Sequence, residues 1–319
     1  MPKDACLTET ALNPNKFLDP DFTATGKPRA MIAPTALHTL WFNTGTLCNL
    51  ACSRCFIESS PRNDRLAYIS AREVATFLNE IEKEELATKQ IGFTGGEPFM
   101  NPQFMAMLED CLRRGFEVLV LTNAMRPMIK QQPLLLGLRD RFGQAVTIRV
   151  SLDHHFKALH ELERGPRSWE ATLNGLQWLS DHGFGISVAG RTHWGQSERR
   201  LRMGYAQLFA KEKIAIDAFD KTSLVLLPEI SAQRDVAEIS EGCWKELGME
   251  PESIMCASSR MVVKRKGDPE CVVTPCTLLP YEKAFEMGRH LIGSLRPVKL
   301  NHPNCARFCV LGGGNCSTK

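Results

Sequence analysis

No stretch of this sequence stays apolar for the roughly 18 residues a bilayer-spanning helix needs, and the opening MPKDACLTET lacks the apolar core of a secretory signal. The expectation is a cytoplasmic protein without a membrane partner. An excess of one charge is also missing: 39 Lys and Arg against 36 Asp and Glu leave +3. A nucleic-acid binder usually concentrates a basic face, so such a partner is not expected. The low hydrophobicity of a disordered chain is absent too, with 43% hydrophobic and 24% charged residues, the composition of a chain that folds around a core. What is plentiful is cysteine, twelve in all. The cytosol keeps thiols reduced, so metal ligation explains so many better than disulfides. Nine of the twelve fall within residues 48–55 and 256–316, which suggests two metal sites. Cys6, Cys111 and Cys243 stand apart and read as structural, Cys111 on the apolar side of an amphipathic helix.

Residues 1–36 show little periodicity and read as an irregular surface lead-in. From residue 38 short apolar runs alternate with amphipathic stretches: HTLWFNTG, ISAREVATFLNEIEKEE, KQIGFTGG, NPQFMAMLEDCLRRG, FEVLVLTN. The pattern continues through a helix near 126–142, the strand AVTIRVSLD, the helix SWEATLNGLQWLSDHG, the strand FGISVAG, a helix near 197–211 and the strand IAIDAF. Val74, Phe77, Leu78 and Ile81 fall on one helical face. Strands separated by helices imply right-handed crossovers and a parallel sheet, as an incomplete barrel or an open sheet. Either architecture places ligands beyond the carboxyl ends of the strands. Past residue 220 the alternation stops, and RMVVKRKGDPECVV reads as a hairpin whose tip, Lys264-Arg265-Lys266, faces solvent.

The first strand runs into Cys48, Cys52 and Cys55 in a C-x3-C-x2-C array. Structural zinc and closed iron–sulfur clusters normally take four ligands, and no fourth cysteine is nearby. Three thiolates leave one iron of a cubane open to bind something else; zinc with a distant fourth ligand is the competing reading. Cys48-Asn-Leu-Ala-Cys52-Ser-Arg-Cys55 resembles the signature of the radical S-adenosylmethionine (SAM) superfamily. That resemblance implies a partial (β/α)6 TIM-type barrel of class α/β and a [4Fe-4S] cluster with an open iron site. In the family that iron chelates the amino and carboxylate groups of SAM, and an electron from the cluster splits the sulfonium to a 5′-deoxyadenosyl radical. Arg54 departs from the pattern, since many relatives have an aromatic residue before the third cysteine; Phe56 offers an alternative cover for the adenine side.

Companion segments follow at successive strand ends. Gly95-Gly96-Glu97-Pro98 is similar to the family's GGEP motif, which receives the amino group of SAM. A carboxylate suits an ammonium group, and glycine lets backbone approach a ligand. Thr122-Asn123 and Ser151-Leu152-Asp153 are similar to the family's strand-end Thr-Asn-Gly and Ser-Leu-Asp-Gly, candidates for ribose or methionine carboxylate, with a helix N-cap role equally open. Arg164 resembles an arginine that pairs with the cofactor's carboxylate, with a solvated surface arginine as the competing reading. His154, His155 and His160 are candidates for proton transfer to a substrate or for ordinary loop residues, and Val188-Ala189-Gly190 for an adenine wall or plain core.

Cys256, Gly267, Cys276 and the later cysteines resemble the auxiliary-cluster extensions called SPASM and twitch domains. The resemblance implies a small C-terminal cysteine-rich iron–sulfur domain over 219–319, after a barrel over 37–218. Cys256, Cys276, Cys305 and Cys309 form the first candidate ligand set for one auxiliary [4Fe-4S] cluster, with Cys316 and Cys271 as replacements or ligands of a second site. Four thiolates also suit zinc. The implied activity is that of an oxidoreductase-type enzyme acting on a peptide side chain or a small metabolite, fed by an electron donor such as flavodoxin or ferredoxin. The rival class is a non-catalytic iron–sulfur or zinc-binding redox sensor on the same fold.

Overall fold

Six strands separated by helices run parallel, as the alternating pattern requires. In the computed structural model, which describes residues 7–231 and 233–316, they are β1 (Thr39–Asn43), β2 (Gln90–Thr94), β3 (Glu117–Thr122), β4 (Val146–Ser151), β5 (Gly185–Arg191) and β6 (Leu224–Leu227). The crossovers carry α1 (Ala71–Lys83), α2 (Phe104–Arg113), α3 (Gln132–Phe142), α4 (Lys157–Arg164), α5 (Ser168–Asp181) and α6 (Glu198–Lys211). Two later strands, β7 (Ser259–Val263) and β8 (Val272–Thr274), complete one sheet in the order β8-β7-β1-β2-β3-β4-β5-β6. β7 adds parallel to the free edge of β1, and β8 returns antiparallel to it. The sheet is a partial barrel extended by a hairpin. No helix of the described residues is long and apolar enough to cross a membrane.

Local sequence explains the elements. α1 starts at a capping box in which the Ser70 hydroxyl accepts from Glu73 N and the Glu73 carboxylate accepts from Ser70 N. Its Val74, Phe77, Leu78 and Ile81 are buried against the sheet. β1 is buried on both faces, the condition of a strand covered by helices on one side and lining an interior on the other. The helix expected over 126–142 is two pieces, Arg126–Ile129 and Gln132–Phe142. Pro133 lies in the first turn of the second piece, where its missing N–H costs nothing.

Three sequence expectations are corrected. The sixth strand is Leu224–Leu227, not 214–219. Residues 214–217 form no regular element, and Ile214 and Ala218 are buried beyond the end of α6. Period-two alternation there imitates a strand, while the true strand is a short continuous apolar run. The barrel therefore continues past residue 218. The lead-in is not simply a surface segment: Leu7–Ala11 pairs with Arg234–Val236, Met31–Ile32 pairs with Val298–Lys299, and Ala30 and Ile32 are fully buried. Arg29 is also buried there, its guanidinium on Glu238 at 2.7 Å. The hairpin tip is not a free basic patch, since Lys264 pairs with Glu73, Arg265 with Glu286 and Lys266 with Asp64, and Arg265 is buried. Cys111 is buried on α2 and Cys243 half-buried beside Ser240, while Cys6 lies outside the described residues.

Candidate functional site

The loop after β1 carries Cys48, Cys52 and Cys55 to one wall of a cavity of about 140 Å³, whose other walls include the ends of β2 through β6. Backbone and side-chain bonds hold the loop in place. Cys48 N donates to Ser60 O at 3.1 Å, and Ser53 N to Glu163 O at 2.8 Å. The Glu163 carboxylate accepts from the Ser53 hydroxyl at 2.6 Å and from Arg54 at 2.7 Å. Arg54, where an aromatic residue was expected, thus ties the loop to α4. Phe56 lines the cavity and stacks under the Arg191 guanidinium, 3.9 Å from its ring centre. N–H donors point at the sulfurs: Leu50 N to Cys48 at 3.4 Å, Ser59 N to Cys55 at 3.3 Å, and the Asn123 amide to Cys48 at 3.9 Å. Burial pushes the Cys48 thiol up to about 12 and raises that of Cys52, which Arg164 partly offsets. A metal centre must therefore displace protons from these thiols.

Gly95 and Gly96 line the cavity, and their lack of a side chain also answers a second demand, close packing on the cysteine loop. A Cβ at Gly96 would lie 2.1 Å from the Leu47 carbonyl, and one at Gly95 would lie 2.6 Å from the Gly45 carbonyl. Gly95 also has φ +142. The two glycines let the end of β2 press against the cysteine loop, where Gly96 N donates to Gly45 O at 2.7 Å and Glu97 N to Leu47 O at 3.1 Å. Replacing Gly96 with Ala is expected to push the loop outward, lowering iron bound after reconstitution by half or more and lowering Tm by several degrees. Iron analysis and thermal unfolding read both.

Glu97 is buried and does not line the cavity. Its carboxylate accepts from Thr122 Oγ1 at 2.8 Å, Asn123 N at 2.9 Å and Phe99 N at 3.3 Å. Burial pushes it up to about 7 against those bonds. Here it locks the end of β2 to the end of β3. Thr122 and Asn123 do line the cavity, with Asn123 bridging to Asn49 at 2.9 Å.

Ser151 and Asp153 face the same cavity beyond β4. Asp153 binds Arg164 at 2.7 Å and Arg191 at 3.4 Å. Burial alone would raise its carboxyl, but the two guanidinium groups overcome that and hold it at about 2. Ala189 and Gly190 line the wall, while Val188 is core. His154, His155 and His160 do not line the cavity. His154 stacks on His155, and His160 meets Trp169 edge-on. Burial lowers His154 to about 4 and His160 to about 3, so both are neutral core rings. Sequence reasoning missed Arg149, Glu163, Arg191 and Thr277. Arg149 alone left a signal, a charge in the middle of an otherwise buried strand.

The second cysteine group divides. Cys256, before β7, Cys276, after β8, and Cys305 and Cys309 on the π-helical segment Cys305–Leu311 line a separate cavity walled by apolar side chains such as Met255, Leu278 and Leu300. All four are buried, which raises Cys256 to about 12 and Cys276 to about 11. Arg260 lies beside them, buried, with its hydrogen bonds going to backbone carbonyls. A buried cation without a carboxylate partner among the described residues, beside four thiols, suits four thiolates. Cys271 is elsewhere, against Glu73 and Lys264, and Cys316 lines the first cavity instead. Among the described residues no three His, Cys, Asp or Glu side chains converge tightly enough to hold a single ion. Each group instead lines a cavity.

Residues 42–193, the cysteine loop with β1 through β5, match the family model described as Radical SAM superfamily. The chain is similar to radical SAM domains over that span. It is 30% identical over 157 residues to the antilisterial bacteriocin subtilosin biosynthesis protein AlbA of Bacillus subtilis, a match covering 49% of this chain and 33% of AlbA. It is 27% identical over 143 residues to mycofactocin maturase MftC of Mycobacterium tuberculosis, covering 44% of this chain and 34% of that one. The matches thus span about a third of each relative. In fold, the chain is similar to Streptococcus suis SuiB bound to precursor peptide SuiA, with TM-score 0.58 and 14% identity over 81% of this chain and 63% of SuiB. It is also similar to anSMEcpe with bound AdoMet, with TM-score 0.55 and 14% identity over 79% and 77% of the two chains. The family implies a [4Fe-4S] cluster and SAM. Three thiols on one loop, sulfur-directed N–H groups and Arg164 beside Cys52 fit a radical SAM cluster held at three corners.

Proposed function

We propose that this chain is a radical SAM enzyme that oxidises or cross-links a side chain of a peptide. The observation that carries the reading is the three-thiol loop opening onto a cavity bounded by strand ends. When bound, the cluster and SAM together supply a 5′-deoxyadenosyl radical, formed by one-electron cleavage of the sulfonium and able to abstract hydrogen. The chain's own residues do the rest. Cys48, Cys52 and Cys55 hold three irons; Ser151, Arg164 and the backbone of Gly95 and Gly96 border the space for the methionine part, and Phe56, Ala189 and Gly190 the space for the adenine part. The buried walls exclude water from a reactive intermediate. Cys256, Cys276, Cys305 and Cys309 are assigned to one auxiliary [4Fe-4S] cluster, with Arg260 offsetting its charge. A flavodoxin- or ferredoxin-type donor supplies the electron. A peptide is favoured over a small metabolite because AlbA and MftC are named for biosynthesis of a bacteriocin and maturation of mycofactocin.

Anaerobic reconstitution is expected to load about eight irons per chain, two clusters of four. With dithionite and SAM the product should contain 5′-deoxyadenosine and methionine. Loaded protein that forms neither would leave the redox-sensor reading, and zinc in place of iron at the four-thiol site would remove the auxiliary cluster. With a perdeuterated peptide pool, deuterium should appear in 5′-deoxyadenosine. Its absence would turn the assignment toward a small metabolite.

A further inference from the structure

β4 places a charge where a strand buried on both faces carries apolar side chains. Arg149 is 2% exposed and is one of the residues that line the cavity. Nε donates to Ser187 Oγ at 3.2 Å and Nη1 donates to the Cys316 carbonyl at 2.6 Å. Nη2 is buried without a partner. The three cavity arginines therefore differ. Arg164 and Arg191 share Asp153, whereas Arg149 has no carboxylate partner among the described residues. Burial lowers it to about 10, which leaves it cationic at neutral pH. A buried guanidinium is costly without a carboxylate beside it, and among the described residues the ionisable group that interacts with it is the buried Cys316 thiol. The fold retains one here, oriented by two neutral acceptors and with one amino group free.

Its position separates it from the cofactor. Arg149 and Ser151 share a face of β4 and lie one pleat apart, so Arg149 is roughly 7 Å deeper than the strand end. The methionine carboxylate of SAM must reach the iron beside Cys48, Cys52 and Cys55, where Arg164 is already adjacent to Cys52. Around Arg149 the cavity is closed instead by Thr277 and Cys316, and Thr277 follows Cys276 of the four-thiol group. A molecule held there sits between the two cysteine groups.

We propose that Arg149 anchors a carboxylate of the substrate at this end of the cavity, which makes the substrate an acidic one. The inference rests on the radical SAM reading for its location, not for its chemistry. Nη2, with the remaining N–H of Nη1, offers the parallel pair that carboxylates accept. The carboxylate comes from an Asp or Glu side chain or from the end of a peptide chain.

The test uses reconstituted holoenzyme saturated with SAM, so that the cofactor's own carboxylate site is filled, and three probes measured by calorimetry. N-acetylglutamate α-amide carries a side-chain carboxylate, N-acetylglycylglycine a terminal one, and N-acetylglutamine α-amide none. At least one acid is expected to bind ten-fold or more tightly than the neutral probe, and whichever does so names the source. Arg149→Gln should reduce that preference to below two-fold, and Arg149→Lys should keep part of it. Equal binding of acids and amide to the wild type overturns the proposal whether or not either variant folds, as does a preference that survives in Arg149→Gln. A preference present without SAM and lost with it would assign Arg149 to the cofactor and also overturn it. Formation of 5′-deoxyadenosine without probe is scored separately, so failure of the enzymatic reading is distinguishable from failure of this one.

Discussion

The triple variant Cys48→Ala, Cys52→Ala, Cys55→Ala is expected to form no 5′-deoxyadenosine, at least 1,000-fold below wild type, while keeping about four of about eight irons. The loss follows from geometry. The three thiols proposed to hold the cluster sit on a loop whose backbone is fixed to Ser60 and Glu163. The retained iron follows from the separation of the two cavities, since Cys256, Cys276, Cys305 and Cys309 line a different one. Alanine at Cys305 and Cys309 should do the reverse, removing about four irons and destabilising the C-terminal part, because ligand binding there is also folding free energy. Iron and sulfide analysis, with chromatographic assay of 5′-deoxyadenosine, checks both. Near-zero iron in the triple variant would eliminate the second cluster.

Asp153→Asn is expected to cost about 3–5 kcal/mol in global stability, because it leaves Arg164 and Arg191 as buried charges without a counter-ion. The pH dependence has a definite sign. Held at about 2 in the folded chain against an ordinary 3.8, Asp153 contributes stability that is complete above pH 3.8 and lost only as pH falls through 2. The deficit of the Asn variant should therefore be the same at pH 5.5, 7 and 8.5. Denaturant unfolding at those three values checks it, and a deficit that grows or shrinks across them would point to another titrating group. Arg191 also donates to the Arg54 carbonyl of the cysteine loop at 3.1 Å, so the variant should bind less iron as well.

Much of the candidate site was legible because it is local. Cys48, Cys52 and Cys55 lie within eight residues, and their spacing alone allows one loop to wrap one centre. The strand-end segments at Gly95, Thr122 and Ser151 were legible because hydrophobic periodicity locates the strands and parallel strands present their ends on one side. The roles read from those segments fared differently. Glycine at 95 and 96 signals a close approach but not which atoms approach, and the partner is the cysteine loop itself, fifty residues earlier. Glu97 carries a charge suited to a ligand, yet three donors from β3 and its own turn take it into the core.

The sequence by itself determined the three-thiol spacing of the first loop, the α/β alternation and the existence of a second thiol group. Only the tertiary structure decided which four of six downstream cysteines share a cavity, that Cys316 belongs to the first cavity and Cys271 to neither, and that the hairpin joins the barrel at β1. The physical reason is range. Side-chain periodicity and short ligand spacings are properties of neighbouring residues, whereas the meeting of Cys256 with Cys309, or of Arg149 with Cys316, depends on how strands far apart in the chain are laid side by side.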